Sequence, residues 1–199
     1  MKCLLKYPFL YNFYQNIIGC KSFLKKYSQQ YLKVEDNQSV LDLGCGTGNV
    51  CCFLPQNIDY VGIDISPKYI DYASKKYPKF NFICNSLADK IELNKTFDVI
   101  YGEAILAGLT DEQCKQMFET IVKHSKNSTR IILSDMNYSD DASFIKKLLF
   151  SSERNSNIRD REKYLSLFYP YFKVNKISVI NDVYRIPYSK LVFECSLKD

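Results

Sequence analysis

The chain reads as an α/β protein built on a Rossmann-like, doubly wound sheet of seven strands, mostly parallel. Three observations predict this. Strand and helix signals alternate between residues 39 and 135, which argues for a parallel sheet with helices on both faces. The first strand signal breaks into three alternating glycines, and the next ends in an acid about twenty residues beyond the first of them.

In chain order, Pro8 opens an aromatic-rich amphipathic helix predicted to run to about Tyr31, and the polar stretch Glu35-Asp36-Asn37-Gln38 follows it. Strands are predicted over 39–43, 59–63, 80–84, 97–101 and 129–135, with helices over 48–54, 67–76 and 111–125 between them. Ser66-Pro67 supplies the cap and first turn of the helix at 67. Two more helices are predicted over 140–151 and 160–168, joined by a polar turn over 152–157. Two β-rich runs, 171–180 and 190–196, end the chain around a loop holding Arg185-Ile186-Pro187-Tyr188. Crossovers should be right-handed, and no internal repeat or low-complexity tract is visible.

The run Val40-Leu41-Asp42-Leu43-Gly44-Cys45-Gly46-Thr47-Gly48 carries the chemistry. Without a Cβ, each glycine can take positive φ and let a ligand approach the main chain. An alanine forced into that conformation costs roughly 1–2 kcal/mol before any clash with a ligand is counted. The alternative is a tight strand-to-helix turn with no ligand. Asp64 ends Asp59-Tyr60-Val61-Gly62-Ile63-Asp64-Ile65, where a doubly wound fold places the carboxylate that accepts two ribose hydroxyls. A helix N-cap or a surface carboxylate is its alternative. Asn49 stands where the dinucleotide fingerprint needs its third glycine, so no diphosphate cradle is indicated.

Spacing of this kind, preceded by Asp42, resembles motif I of the class I S-adenosylmethionine-dependent methyltransferases, more narrowly the small single-domain bacterial enzymes that act on small molecules. The segment from Tyr60 to Ser66 resembles motif II, Phe80 through Asp89 falls at motif III, and Phe97-Asp98-Val99-Ile100 resembles the motif IV strand. The resemblance implies S-adenosylmethionine as donor and S-adenosylhomocysteine as product. It implies that Asp42 holds the donor's ammonium through water or backbone, with Gly44, Cys45, Gly46 and Gly48 beneath the methionyl arm. Asp64 and Ile65 would serve the ribose end, and Gly102 and Glu103 would flank the methionyl group. Where the family commonly has an Asp at the adenine amino group, this chain offers Asn85 or Ser86, with the Leu87 amide available to a ring nitrogen. The resemblance further implies an N-terminal helical lid whose Tyr11 closes over the donor. It also implies a terminal antiparallel hairpin whose last strand is inserted between two others.

At 199 residues the chain is expected to be one domain, with a lid over 1–35, a donor-binding core over 36–138, and helices plus hairpin over 139–199. Acceptor recognition must then come from its own loops and ends. The 46% hydrophobic content contains no apolar run of the roughly 18 residues a membrane span needs, and no export signal is read after Met1. Eight scattered cysteines without a CxxC pair suit a reducing cytoplasm, and one histidine without paired ligand spacing gives no metal site. The net charge of +5 is spread over Lys25-Lys26, Lys75-Lys76 and Lys146-Lys147, whereas a nucleic-acid binder concentrates its charge on one face. A monomer or homodimer acting on a small molecule is expected.

Methyl transfer from a sulfonium is an in-line displacement, so alignment and desolvation carry most of the catalysis, roughly 7–11 kcal/mol from positioning. A base is needed where the accepting N or O is protonated, and Glu103, Asp135, Tyr188 and His124 are the candidates, with Glu103 best placed. His124 reads more readily as a surface helix terminus. Arg159 is a candidate for a substrate carboxylate or phosphate, against a surface ion pair with nearby acids. Ala107-Gly108 stands where the resembled group has histidines after its fourth strand. That departure keeps open a donor-binding regulator without catalysis, beside an RNA or protein methyltransferase.

Overall fold

A computed structural model describes residues 7–136, 157–181 and 189–198. Its seven-stranded sheet has the order β3-β2-β1-β4-β5-β7-β6. The strands are β1 (Ser39–Leu43), β2 (Asp59–Asp64), β3 (Asn81–Cys84), β4 (Phe97–Glu103), β5 (Ser125–Met136), β6 (Phe172–Ile180) and β7 (Lys190–Leu197). β1 to β5 pair in parallel, while β7 is antiparallel to both β5 and β6 and lies between them. The inserted last strand is the arrangement expected from the resemblance. Strand order reverses between β1 and β4, and in such sheets ligands bind there, beyond the carboxyl ends.

Each face of the sheet has its own core. Leu41, Leu43, Ile63, Ile100 and Leu133 pack against α4 (Asp111–Lys123) and α5 (Arg161–Phe168) through Met117, Phe118, Tyr164 and Phe168. Val40, Tyr60, Val99, Tyr101 and Ile132 face the other way, onto Phe23, Leu24 and Tyr27 of α2 (Cys20–Tyr27). This two-sided burial follows from period-2 alternation along each strand. α4 starts at a reciprocal Thr110–Gln113 capping box and α5 at Asp160, whose carboxylate accepts from the Lys163 amide.

Two helix predictions need correction. The N-terminal helix is broken into α1 (Pro8–Ile17), α2 and a π-helical turn, Ser28–Leu32. Gly19, at φ 84°, turns the chain out of the right-handed region between α1 and α2. The helix predicted over 48–54 is one 3-10 turn, Cys51–Phe53. Gly48 is still left-handed at φ 69°, and the residue before Pro55 is extended, so one turn is all that fits. α3 (Pro67–Lys76) begins at Pro67 as predicted, but the Ser66 side chain makes no capping bond. The helix predicted over 140–151 lies outside the described residues, as do Asn137, Tyr138 and Tyr188. The seven described cysteines are free thiols.

Candidate active site

The loop after β1 is shaped by what lies beneath it. Gly44 and Cys45 both donate their amides to the Ile63 carbonyl at the end of β2, at 2.8 and 3.0 Å. Gly44 is left-handed at φ 76°, and a Cβ there would stand 2.3 Å from Ile105 Cγ2. The same Ile105 side chain would meet a Cβ on Gly102 at 2.3 Å, so one wedge requires both glycines. Ala104, itself at φ 55°, delivers that wedge. Gly46 differs: at φ 55° it has no atom within 4 Å of where a Cβ would stand, so this part of the loop faces open space.

Substitutions should separate these two roles. Gly44→Ala adds a steric overlap to left-handed strain and is expected to cost about 3 kcal/mol or more, lowering Tm by roughly 6–12 °C. Gly46→Ala carries the strain of about 1 kcal/mol alone. Its main effect should be weaker binding of whatever lies on the loop. Thermal unfolding and ligand calorimetry on the two variants check this.

Asp64 ends β2 beside that open space. Its Oδ2 accepts from the Gly46 amide at 3.0 Å and its Oδ1 from the Ser66 amide at 2.8 Å. The carboxylate thus ties the end of β2 to the glycine loop on one side and to the start of α3 on the other. Ile65, next in the chain, is 71% exposed, an unusual setting for a large apolar side chain and one suited to a flat ring. Across the β2–β3 edge, Asn85 Oδ1 accepts from the Ser86 amide and Ser86 Oγ from the Ala88 amide. Both motif III side chains therefore shape their own turn first, and Leu87 lies buried beside them.

Asp42 is deeper. It is 3% exposed, and its Oδ2 accepts from the hydroxyls of Tyr60 and Tyr101, each at 2.6 Å. Burial pushes its carboxyl up to about 7, against the pull of the two hydroxyls, and Asp64 adds a smaller push. On the solvent side, Asn12 of α1 accepts from Thr47 Oγ1 at 2.7 Å and from Asn49 Nδ2 at 2.9 Å, tying α1 to the glycine loop. Tyr11, beside Asn12, packs against Tyr69 of α3 in a tilted ring pair with centroids 5.0 Å apart. α1 thus lies over the loop, although Tyr11 touches α3. Asn12, Tyr60 and Tyr101 were not among the sequence candidates.

At the β4 end Glu103 forms an ion pair with Lys190 of β7. Lys190 is buried, its Nζ 4.4 Å from the Phe23 ring centroid, and burial lowers its affinity for a proton. Three other candidates are committed elsewhere. Asp135 accepts from the Ala107 and Met136 amides at 2.9 and 2.7 Å and is wholly buried. His124, expected at the surface, is buried at the end of α4 with its ring nitrogens on the carbonyls of Lys95 and Ile91. Arg159 is also buried, paired with Asp111, and points into the protein.

A recess of about 570 Å3 lies elsewhere, between the start of α1 and α3, and is lined by Tyr7, Lys68, Tyr72, Lys75 and Lys76. Its lysines are engaged: Lys75 with Asp71, Lys68 over Tyr7, and Lys76 over Tyr72. The carboxyl edge of β1, β2 and β4 remains the place where glycine loop, acids and exposed apolar surface meet. Among the described residues no cluster of metal-ligating side chains occurs and no helix is long and apolar enough to cross a membrane.

Residues 40–128 match the family described as Methyltransferase domain. A putative methyltransferase, 235L, of Invertebrate iridescent virus 6 is 23% identical over 119 residues, which cover 58% of this chain and 42% of that protein. Phosphoethanolamine N-methyltransferase of Triticum aestivum is 28% identical over 110 residues, covering 52% of this chain and 21% of the relative. The chain thus spans less than half the length of either. Magnesium protoporphyrin IX methyltransferase of Synechocystis, crystallised with bound SAH, superposes with a TM-score of 0.72 at 20% identity, covering 94% of this chain and 88% of that one. That likeness is one of fold.

Proposed function

We propose that this chain, whose residues 40–128 match the family described as Methyltransferase domain, is a class I S-adenosylmethionine-dependent methyltransferase that transfers a methyl group to N or O of a small-molecule acceptor. The observation that carries the reading is the place of Asp64, a carboxylate at the end of β2 oriented by the Gly46 and Ser66 amides, beside the open face of Gly46. The residues fit a sulfonium nucleoside better than a dinucleotide. Asn49 replaces the third glycine of a diphosphate cradle, and the buried acid Asp42 lies under the loop.

S-adenosylmethionine, when bound, supplies a methyl group on a leaving group that is already positive. The chain's own residues then have to bind, align and keep water out. Asp64 receives the ribose hydroxyls, and Ile65 offers its exposed side chain to one adenine face. Ser86 and the Leu87 amide read the adenine edge. Gly44, Cys45, Gly46 and Gly48 lie along the methionyl arm, Asp42 answers its ammonium, Gly102 and Glu103 flank it, and Tyr11 belongs to the covering helix. Of the base candidates among the described residues, Glu103 alone combines a place at the strand ends with partial exposure. We assign it to accept a hydrogen bond, and where necessary a proton, from the nucleophile.

Small-molecule acceptors are favoured by the names of relatives and neighbours, which include phosphoethanolamine and magnesium protoporphyrin IX methyltransferases. A donor-binding regulator without catalysis is favoured by one set of observations: Ala107 stands in place of a histidine, Asp135 is sealed and Glu103 is neutralised by Lys190. Incubation of the protein with methyl-labelled donor and an extract of the source cell decides. Label should enter the low-molecular-weight fraction. Transfer to RNA or protein would replace the proposed acceptor, and donor binding without transfer to any fraction would select the regulator.

A further inference from the structure

We propose that Tyr60 and Tyr101 are positioning residues for the methyl donor. Given the donor reading above, their hydroxyls hold Asp42 in the orientation and charge state that receives the donor's ammonium, and so make donor affinity depend on pH.

Register builds this arrangement. Asp42 is the acid within an otherwise apolar strand, paired with Tyr101 on β4 and with Gly62 on β2. Tyr60 lies two residues before Gly62, on the same face of β2. A Cβ on Gly62 would stand 2.9 Å from the Tyr60 hydroxyl and 2.9 Å from Cys45 Sγ. The missing side chain is therefore the space through which Tyr60 reaches the carboxylate. Tyr60 is 2% exposed and Tyr101 fully buried, so bulk water does not compete for either bond.

An ionised carboxylate here is costly unless donors meet it, and two hydroxyls on one oxygen favour the anion. Burial pushes both phenols well above their ordinary range, so they remain proton donors throughout neutral pH. The other titratable groups around Asp42 are Asp64 on β2, Cys45 on the glycine loop, Cys51 on the 3-10 turn and Tyr27 on α2. Burial keeps the two thiols and Tyr27 in their neutral forms. Among these groups charge change near neutrality falls on Asp42; farther off, burial brings Lys190 down to about 8 and Asp135 up to about 6. Below about pH 7 the free protein carries a proton on Asp42 that an incoming ammonium must expel.

The test is calorimetry of S-adenosylhomocysteine binding between pH 6 and 8, in two buffers of different ionisation enthalpy. The parent chain should bind about tenfold more tightly at pH 7.5 than at pH 6, releasing a proton at the lower pH. Tyr101→Phe and Tyr60→Phe should each weaken binding at pH 7 by about tenfold and move the plateau of affinity upward by about one pH unit. Asp42→Asn should bind weakly with no pH dependence in this range.

Parent affinity that does not change with pH, or Phe variants whose curves superimpose on the parent's, would overturn the proposal. Asp42→Asn binding like the parent at every pH would remove the Asp42–ammonium assignment itself, and no binding by the parent would remove the donor reading. Thermal unfolding gives a readout independent of ligand. The folded state holds a proton on Asp42 that the unfolded chain has lost, so parent stability should fall as pH rises from about 4 to 7. That decline should shrink in Asp42→Asn to the part that Asp135, pushed up by burial to about 6, contributes, and a variant whose decline equals the parent's would also overturn the proposal.

Discussion

Asp64→Ala should abolish measurable binding of S-adenosylhomocysteine at concentrations that saturate the parent chain, a loss of about a hundredfold or more. Two ribose hydroxyls donating to a carboxylate make charge-assisted bonds of about 1.5–3 kcal/mol each. Losing both outweighs any other single contact in the site. Because Asp64 also accepts from the Gly46 and Ser66 amides, the alanine variant frees the loop as well. Asp64→Asn separates the effects, since its side-chain carbonyl still accepts from one amide and its net charge is gone. An intermediate loss, about tenfold, is expected there. Calorimetry on both variants, with thermal unfolding to show that each remains folded, checks the assignment. Alanine-variant affinity within twofold of the parent's would return Asp64 to the role of a structural acceptor at the start of α3.

The strands were legible because their signals are local. Residues 39–43 run from a polar stretch into glycines, and the structure ends β1 at Leu43. Likewise Ser66-Pro67 marked the start of α3, although it is Pro67 and the Asp64 carboxylate that do the local work. Apolar periodicity, by contrast, continues across Gly19, so the break between α1 and α2 had no pattern to announce it; its cause is one left-handed residue.

The site was legible where a residue acts through backbone or position, as the glycine loop and Asp64 do. It was not legible where partners come from other strands. Tyr60 and Tyr101 reach Asp42 across separations of 18 and 59 residues, and Lys190 reaches Glu103 across 87. An acid inside an apolar strand was the available signal that polar partners had to exist. Which ones supply them depends on register between β1, β2 and β4, and that is set by the whole sheet.

Arg159 shows how far separation can mislead. In sequence it stands in a basic, aromatic stretch suited to a substrate anion. In the structure all five of its N–H donors are committed. Nε and Nη2 donate to Asp111 Oδ1 at 2.9 and 2.8 Å, Nη1 to the carbonyls of Leu106 and Asn157 at 2.7 and 2.8 Å, and Nη2 again to the Leu109 carbonyl at 2.8 Å. A guanidinium has five donors, so no capacity is left for an acceptor. Its place is to fasten the segment after β4, Leu106 and Leu109, to the start of α4 and the approach to α5.

Arg159→Met should therefore destabilise the fold by about 3–5 kcal/mol, because it removes the charged donors of the Asn157 and Leu109 carbonyls, one of the donors on the Leu106 carbonyl, and the buried partner of Asp111, which keeps Lys163. For a chain of this size that lowers Tm by roughly 6–20 °C. The loss should depend on pH. Arg159, and after it Lys163, hold the Asp111 carboxyl below its ordinary range. Stability from that shift is fully present above the ordinary carboxylate pKa and is lost as pH falls through the lowered value. The gap in Tm between parent and variant should accordingly be full at pH 7 and narrow in acid. Donor binding well below the variant's Tm should be unchanged. A variant as stable as the parent but unable to transfer methyl groups would instead put Arg159 in contact with the acceptor.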